Sequence, residues 1–159
     1  MKVSIIIPTL NEALILEDSL RAISSLNPHE IIVADGGSTD LTVPLASGIA
    51  TQVINSKSGR ACQMNAGAKK ATGTILLFMH ADSKLTWHSF NRMKKAMTSI
   101  KTAGGAFSLQ IESEKTSLKA ISLLATWRAK YLNLVYGDQA IFVRADIYQK
   151  MSGFSPLPI

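Results

Sequence analysis

The chain has 159 residues, of which 47% are hydrophobic and 18% charged, a composition that excludes intrinsic disorder and suits one folded domain. It carries one cysteine, Cys62, which excludes an internal disulfide and a cysteine-cluster metal site. The formal net charge is +6, and the positive charge comes from the residues after 56, because those up to residue 56 are net acidic. This asymmetry suits an anionic ligand or surface as well as a solvated basic face.

The first half of the chain alternates strand-like and helical patterns. Four β-branched or aliphatic runs predict strands at residues 3–7, 30–34, 51–54 and 74–79. Helical spacing predicts the helices between them at 11–23, 40–46 and 59–71, the first capped by Asn11. This alternation predicts right-handed crossovers and a parallel sheet with helices on both faces.

The second half is less regular. A polar helix is predicted at 86–100, followed by a break in secondary structure at Gly104-Gly105. The remaining predicted elements are a strand at 106–111, a helix at 117–133, a strand at 139–143 and a helix at 145–151. We expect a single α/β domain over residues 1–159, in which residues 1–83 have the pattern of a nucleotide-binding fold.

Three polar, turn-rich segments follow the first, second and fourth strands. They are Pro8-Thr9-Leu10-Asn11-Glu12, Asp35-Gly36-Gly37-Ser38-Thr39-Asp40 and His80-Ala81-Asp82. Each alone is also explained as a helix start or a capped turn. Because ligands bind at the carboxyl ends of parallel strands, their shared position favours a ligand site.

The residue types in these segments suit a nucleotide. Asp35 at a strand end can accept hydrogen bonds from a base or ribose, and the segment lacks the glycine patterns of a dinucleotide site or a P-loop. The phosphates then need another positive charge. A divalent cation on Asp82, with Lys57 and Arg60, would supply it, and Arg60 also opens a helix whose N–H groups attract anions.

Taken together, these motifs resemble the family 2 glycosyltransferases of GT-A fold. The resemblance also rests on Gly59-Arg60 with Asn65-Ala66-Gly67, and the stretch 137–144 with Gly153-Phe154 is similar to a bacterial subgroup of small, soluble members. It implies a three-layer α/β/α fold with a mostly parallel, Rossmann-like sheet that becomes mixed in its C-terminal part. It also implies that residues 84–159 form part of an acceptor-binding half.

The resemblance further implies a reaction and a site. The reaction is transfer of a sugar, with inversion, from a UDP- or GDP-sugar to an acceptor hydroxyl, with Mg²⁺ or Mn²⁺ as cofactor. The implied nucleotide-sugar pocket consists of Pro8, Thr9, Asn11, Glu12, Asp35, Gly36, Gly37, Ser38, Asp40, Arg60, Asn65 and Ala81. Asp82 is the implied metal ligand. His80 stands where family members carry the first aspartate of Asp-x-Asp, so metal ligation, ribose contact and packing all stay open for it.

The catalytic base is the least defined part of this interpretation. In the family it belongs to an acidic pair beyond the Gly-Phe region, and the sequence reaches Ile159 without one. Asp138 is the nearest remaining carboxylate and is kept as a candidate base, with an acceptor-pocket or structural role as the alternative. We therefore expect a chain that binds nucleotide but lacks part of its catalytic apparatus, as a truncated form would.

Two other functions are alternatives to this one. A nucleotidyltransferase usually carries a glycine-rich loop with Arg and Lys after the first strand, and a nucleic-acid-binding module interleaves aromatic with basic residues. The sequence has neither feature, so we expect no nucleic-acid partner.

Residues 118–136 fit either core packing or a peripheral membrane contact. We expect a cytoplasmic protein, with the acceptor, the membrane contact and the oligomeric state left open.

Overall fold

The computed structural model describes residues 1–107 and 140–155. Its strands are β1 Val3–Thr9, β2 Glu30–Asp35, β3 Gln52–Asn55, β4 Ile75–Phe78, β5 Gly104–Ala106 and β6 Ile141–Arg144. They form one sheet in the order β3-β2-β1-β4-β6-β5. Strands β1 to β4 are parallel, whereas β6 runs antiparallel to both β4 and β5. The predicted sheet, mostly parallel and mixed in its C-terminal part, is confirmed.

Five helices accompany the sheet in the described part of the chain. They are α1 Ala13–Ser24, α2 Thr42–Ser47, α3 Arg60–Lys70, α4 Trp87–Ala96 and α5 Ala145–Lys150. Helix α1 buries Leu16, Leu20 and Ile23, which helical spacing places on one face. None of the described helices is long and apolar enough to cross a membrane.

Alternate residues of β1 enter two separate cores. Ile5 and Ile7 pack in a cluster with residues of α1, α2 and α4, including Phe90. Ile6 lies in the other cluster, with Met64 of α3 and Tyr148 of α5. Because successive side chains of a strand point to opposite faces, helices must cover both sides of the sheet. The predicted three-layer arrangement is confirmed, and it explains why β1 is buried along its whole length.

Two predicted features of the second half are wrong. The break expected at Gly104-Gly105 is strand β5, whose pairing with β6 is so close that a Cβ on Gly104 would lie 2.4 Å from the carbonyl oxygen of Phe142. Helix α4 ends before residue 100, and the Arg144 side chain donates hydrogen bonds of 2.9 Å to three carbonyls beyond it, those of Met97, Ser99 and Thr102. The helix predicted at 117–133, and most of the strand predicted at 106–111, lie outside the described residues.

Candidate functional site

The site predicted from the sequence lies at the carboxyl edge, defined here as the loops that follow β1, β2 and β4. These three strands are adjacent and parallel, and Thr9, the last residue of β1, pairs with Asp35, the last of β2. The loops after them therefore leave the sheet on the same side. The shared position expected for the three polar segments is confirmed.

Asp35 organises the loop that follows β2. Its carboxylate accepts hydrogen bonds from the backbone N–H groups of Gly37 (2.9 Å) and Ser38 (2.8 Å), and from the hydroxyls of Ser38 and Thr9, the last at 3.3 Å. Burial to 2% exposure raises its pKa, but these hydrogen bonds outweigh burial and hold the pKa below its usual range. Asp35 is therefore an ionised carboxylate with four donors around it.

Asn11 joins the first loop to the second. Its backbone N–H donates to the Ser38 hydroxyl (2.8 Å), and its side-chain oxygen accepts from the backbone of Thr39 (2.9 Å). Asn11 has a φ of 56°, and Glu12 is the N-cap of α1. The prediction that Asn11 caps α1 is thus wrong, because its side chain is engaged by the neighbouring loop.

The N-terminus of α1 is instead capped from the second loop. The backbone N–H of Ala13 donates to Asp40 (3.1 Å), and that of Glu12 donates to the Thr42 hydroxyl (2.8 Å). The Thr42 hydroxyl in turn donates a hydrogen bond to Asp40. This hydrogen bond is the largest influence on the pKa of the Asp40 carboxyl, which it lowers. A carboxylate at a helix N-terminus is favourable. Asp40 and Thr42 therefore fix the two loops as one unit.

Gln63 is a site-forming residue that the sequence analysis missed. It lies on α3, is 5% exposed, and donates to the carbonyls of Thr9 (2.6 Å) and Ala34 (3.0 Å), at the ends of β1 and β2. Its amide also lies 3.0 Å from where a Cβ on Gly36 would be. The sequence did contain a signal for this role, because helical spacing places Gln63 on the same buried face as Met64 and Gly67. A buried polar side chain needs hydrogen-bond partners.

Arg60 and His80 meet at the same edge. Arg60 is the first residue of α3, whose N-terminus no side chain caps within the described structure. Its Nη2 lies 2.8 Å from Nδ1 of His80, two residues after β4. The structure thus brings the predicted phosphate-binding arginine against the segment that contains Asp82.

Asp82 follows in a tight turn. The turn is closed by hydrogen bonds between His80 and Ser83, in which the Ser83 N–H donates to the His80 carbonyl (3.1 Å) and the Ser83 hydroxyl accepts from the His80 N–H (3.3 Å). Ala81 is buried, whereas Asp82 is exposed and its carboxylate has no hydrogen bond or ion pair within residues 1–107 and 140–155. An exposed carboxylate two residues from the histidine that contacts Arg60 is suited to a charged ligand.

Asn65 is the predicted site residue that the structure directs elsewhere. Its oxygen accepts from the Tyr148 hydroxyl and from the Phe154 N–H (2.9 Å), and its amide donates to the Phe154 carbonyl (2.8 Å). Burial raises the pKa of Tyr148 to about 12, so the phenol stays protonated as the donor. These contacts join α3 to α5 and to the segment after it, and the expected contact of Asn65 with a nucleotide stays a prediction.

Pro8 and Gly36 lie where β1 and β2 end. Pro8 is buried within β1 opposite Ala34, and the backbone of Gly36 donates to the Thr9 carbonyl (2.9 Å). Asp138 and residues 118–136 lie outside the described residues. Within those residues, no group of three or more His, Cys, Asp or Glu side chains could hold a metal ion by itself.

The chain is similar in sequence to known glycosyltransferases. PGL/p-HBAD biosynthesis glycosyltransferases of Mycobacterium tuberculosis and Mycobacterium bovis are 40% identical to the chain over 91 residues. The match covers 52% of this chain and 36% of each relative, so it spans about a third of their length.

Solved structures show the same fold. A mannosyltransferase of Pyrobaculum calidifontis, in complex with GDP-Man and Mn²⁺, superposes with a TM-score of 0.77 at 20% identity, covering 98% of this chain and 48% of that one. Glucosyl-3-phosphoglycerate synthase of Mycobacterium tuberculosis, in complex with Mn²⁺, UDP and glucosyl-3-phosphoglycerate, has a TM-score of 0.67 at 21% identity, covering 92% and 57%.

The family model described as Glycosyl transferase family 2 matches residues 4–151, nearly the whole chain. This match includes all but the first residue of β1, the loops after β1 and β2, the start of α3 and the His80-Ala81-Asp82 turn. The chain belongs to glycosyl transferase family 2, and its mixed six-stranded sheet has the GT-A fold.

Proposed function

We propose that this chain binds a UDP- or GDP-sugar together with Mg²⁺ or Mn²⁺ at the carboxyl edge, and that the protein transfers the sugar to an acceptor hydroxyl with inversion. The observation that carries this proposal is the meeting of Arg60, at an uncapped helix N-terminus, with the segment of the exposed Asp82. Family membership supports it, as do the nucleotide and Mn²⁺ complexes of the two similar structures.

The diphosphate is the part of the donor that this geometry suits best. The Arg60 guanidinium offers fork-shaped donors, and charge-assisted hydrogen bonds to phosphate oxygens are the strong ones. The N-terminus of α3 adds free N–H groups and the positive end of the helix dipole. Both features come from one short stretch, residues 59–62.

The donor set at Asp82 fits a hard divalent cation. A carboxylate oxygen is a ligand that Mg²⁺ and Mn²⁺ prefer. Because the described residues offer no complete set of ligands, a cation held by Asp82 would share its coordination with diphosphate oxygens and water. Such shared coordination is how these ions commonly bind at substrate phosphates.

The loops after β1 and β2 would hold the nucleoside. We propose that Pro8, Thr9, Asn11, Glu12 and the segment 35–40 line this part of the pocket. Asp35 already has four hydrogen-bond donors, so a base N–H that contacts it must share or replace the 3.3 Å bond from Thr9, which is the longest of the four.

Transfer would then be a single displacement. The acceptor oxygen forms a bond to the anomeric carbon while the bond from that carbon to the phosphate oxygen breaks, and the diphosphate leaves with the electron pair. The acceptor proton passes to a carboxylate base, for which Asp138 is the candidate from sequence. Arg60 stabilises the charge that grows on the leaving diphosphate, and the cation, when bound, supplies further charge neutralisation.

Thermal unfolding with UDP, GDP, UDP-glucose and GDP-mannose, with and without Mn²⁺, tests the proposal. A ligand at about a hundredfold excess over its Kd stabilises by about 2.7 kcal/mol, which raises Tm by several degrees. We expect a rise that depends on Mn²⁺ in the wild type and is lost in Asp82→Ala. Asp18→Ala, which removes an exposed aspartate on α1, is the matched control. No rise with any nucleotide, or a full rise in Asp82→Ala, contradicts the proposal.

A further inference from the structure

We propose that His80 is a positioning residue, whose Nδ1 holds the Arg60 guanidinium beside the Asp82 turn where the diphosphate binds, instead of ligating the cation through that atom. The inference rests on the proposed function and names a role for one side chain within it. The observation behind it is the 2.8 Å contact between Arg60 Nη2 and His80 Nδ1.

The direction of this hydrogen bond follows from the chemistry of the two groups. An arginine guanidinium has donors only, so the Nδ1 atom of His80 must accept and carries no proton. The proton of the neutral imidazole is then on Nε2. A lone pair on Nδ1 that accepts from Arg60 cannot at the same time bind a cation.

The two partners differ in how firmly they are held. The His80 ring is partly buried and belongs to the turn closed by Ser83, directly after the buried strand β4. The Arg60 side chain is long and exposed. An arginine that is already ordered loses less conformational entropy when it binds an anion. His80 is thus the fixed member of the pair and Arg60 is the member that it orders.

The neutrality of the imidazole has a second consequence. Arg60 forms no ion pair with a carboxylate in the part of the chain that the structure describes. An aspartate at position 80 would neutralise the guanidinium, whereas the imidazole orients it and leaves its charge for the phosphate oxygens. A histidine at position 80 therefore orients the Arg60 guanidinium without neutralising its positive charge.

Calorimetric titration of UDP and GDP in the presence of Mn²⁺ tests this role. His80→Asn keeps a neutral acceptor near the position of Nδ1, and His80→Leu removes it. We expect His80→Leu to weaken diphosphate binding about tenfold and His80→Asn to stay within about threefold of the wild type. Binding of the matching nucleoside, uridine or guanosine, should change little in either variant. In an Arg60→Gln background, His80→Leu should cause no further loss.

A spectroscopic readout needs no ligand. Long-range ¹H–¹⁵N correlation of the free protein should show His80 as the Nε2–H tautomer. Arg92→Gln, which removes an exposed arginine on α4, is the control for Arg60→Gln, and urea unfolding of each variant checks that it is folded.

Several results would overturn the inference alone. They are wild-type affinity in His80→Leu, equal losses in the Asn and Leu variants, a further loss in the Arg60→Gln background, or an Nδ1–H tautomer. By contrast, a wild type that binds neither UDP nor GDP with Mn²⁺ contradicts the proposed function itself, and the inference falls with it.

Discussion

At the scale of single residues, two buried carboxylates anchor opposite edges of the sheet. Asp35 accepts four hydrogen bonds at the carboxyl edge. Glu30, at the start of β2, accepts from the Ser4 hydroxyl and from the backbone (2.7 Å) and hydroxyl (3.0 Å) of Thr72. In both cases burial raises the pKa and the hydrogen bonds outweigh it, so the pKa of each carboxyl lies below its usual range. Ionised carboxylates thus tie loops to the sheet.

These lowered pKa values predict a stability that is lost in acid. The unfolded carboxyls titrate near pH 4 and bind protons more readily than the folded ones, so the unfolding free energy is full above that value and falls as pH drops through the folded pKa values. We expect urea unfolding to show this decline between about pH 5 and pH 2. The slope of the decline should be smaller in Asp35→Asn, which cannot ionise.

The control is Asp18→Asn, because Asp18 is exposed on α1 and forms no hydrogen bond with its side chain in the described structure. It should decline with the wild-type slope. A wild-type slope in Asp35→Asn would show that the hydrogen-bonded Asp35 contributes nothing to the acid dependence.

At the scale of elements, α3 connects the site to the rest of the fold. Arg60 begins it and meets His80, Gln63 holds the ends of β1 and β2, and Asn65 binds the segment after α5. Gly67 lets the helix approach β1, since a Cβ there would lie 2.4 Å from Cγ2 of Ile6. The position of Arg60 therefore depends on contacts along the whole helix.

Gly67→Ala tests this close approach. The added methyl group must push α3 away from the fully buried Ile6, and overpacking of this kind costs about 1–3 kcal/mol of unfolding free energy. We expect urea unfolding to show that loss, together with weaker nucleoside diphosphate binding because Arg60 moves with the helix.

Gly48→Ala, at the end of α2, serves as the comparison. The nearest atom to its new Cβ is the Leu45 carbonyl oxygen at 3.6 Å, an ordinary contact, so stability and binding should stay close to the wild type. If Gly67→Ala were as stable as Gly48→Ala, the tight packing of α3 on β1 would not hold.

The elements also show what sequence patterns can predict. Strands β1, β2 and β4 were predictable because they are buried on both faces and so consist of continuous apolar runs. Strand β5 was not, since its Gly-Gly start has no strand signal and is explained only by the backbone of β6 beside it. The actual role of Asn11 and that of Gln63 could not be predicted for the same reason. Their hydrogen-bond partners are 20 or more residues away in the chain.

At the scale of the whole molecule, the uneven charge of the sequence gains a structural explanation. Asp35 and Asp40, which contribute to the acidic first part, are engaged in hydrogen bonds between and within loops. The basic part begins with Lys57 and Arg60, and Arg60 lies at the same edge of the sheet as these loops. The acidic groups therefore build the loops, and the arginine is placed for the proposed anionic ligand.

The location of the proposed metal and diphosphate site can be measured directly. Amide ¹H–¹⁵N spectra of the chain with saturating UDP or GDP, recorded as Mn²⁺ is added in small amounts, report which residues lie near the paramagnetic ion. We predict selective broadening of residues 36–40, 59–62 and 80–83, and loss of the effect in Asp82→Ala. Thr72 and His29 lie at the opposite edge, where the strands begin, and should be unaffected. Broadening centred on the opposite edge, or none that depends on the nucleotide, would contradict it.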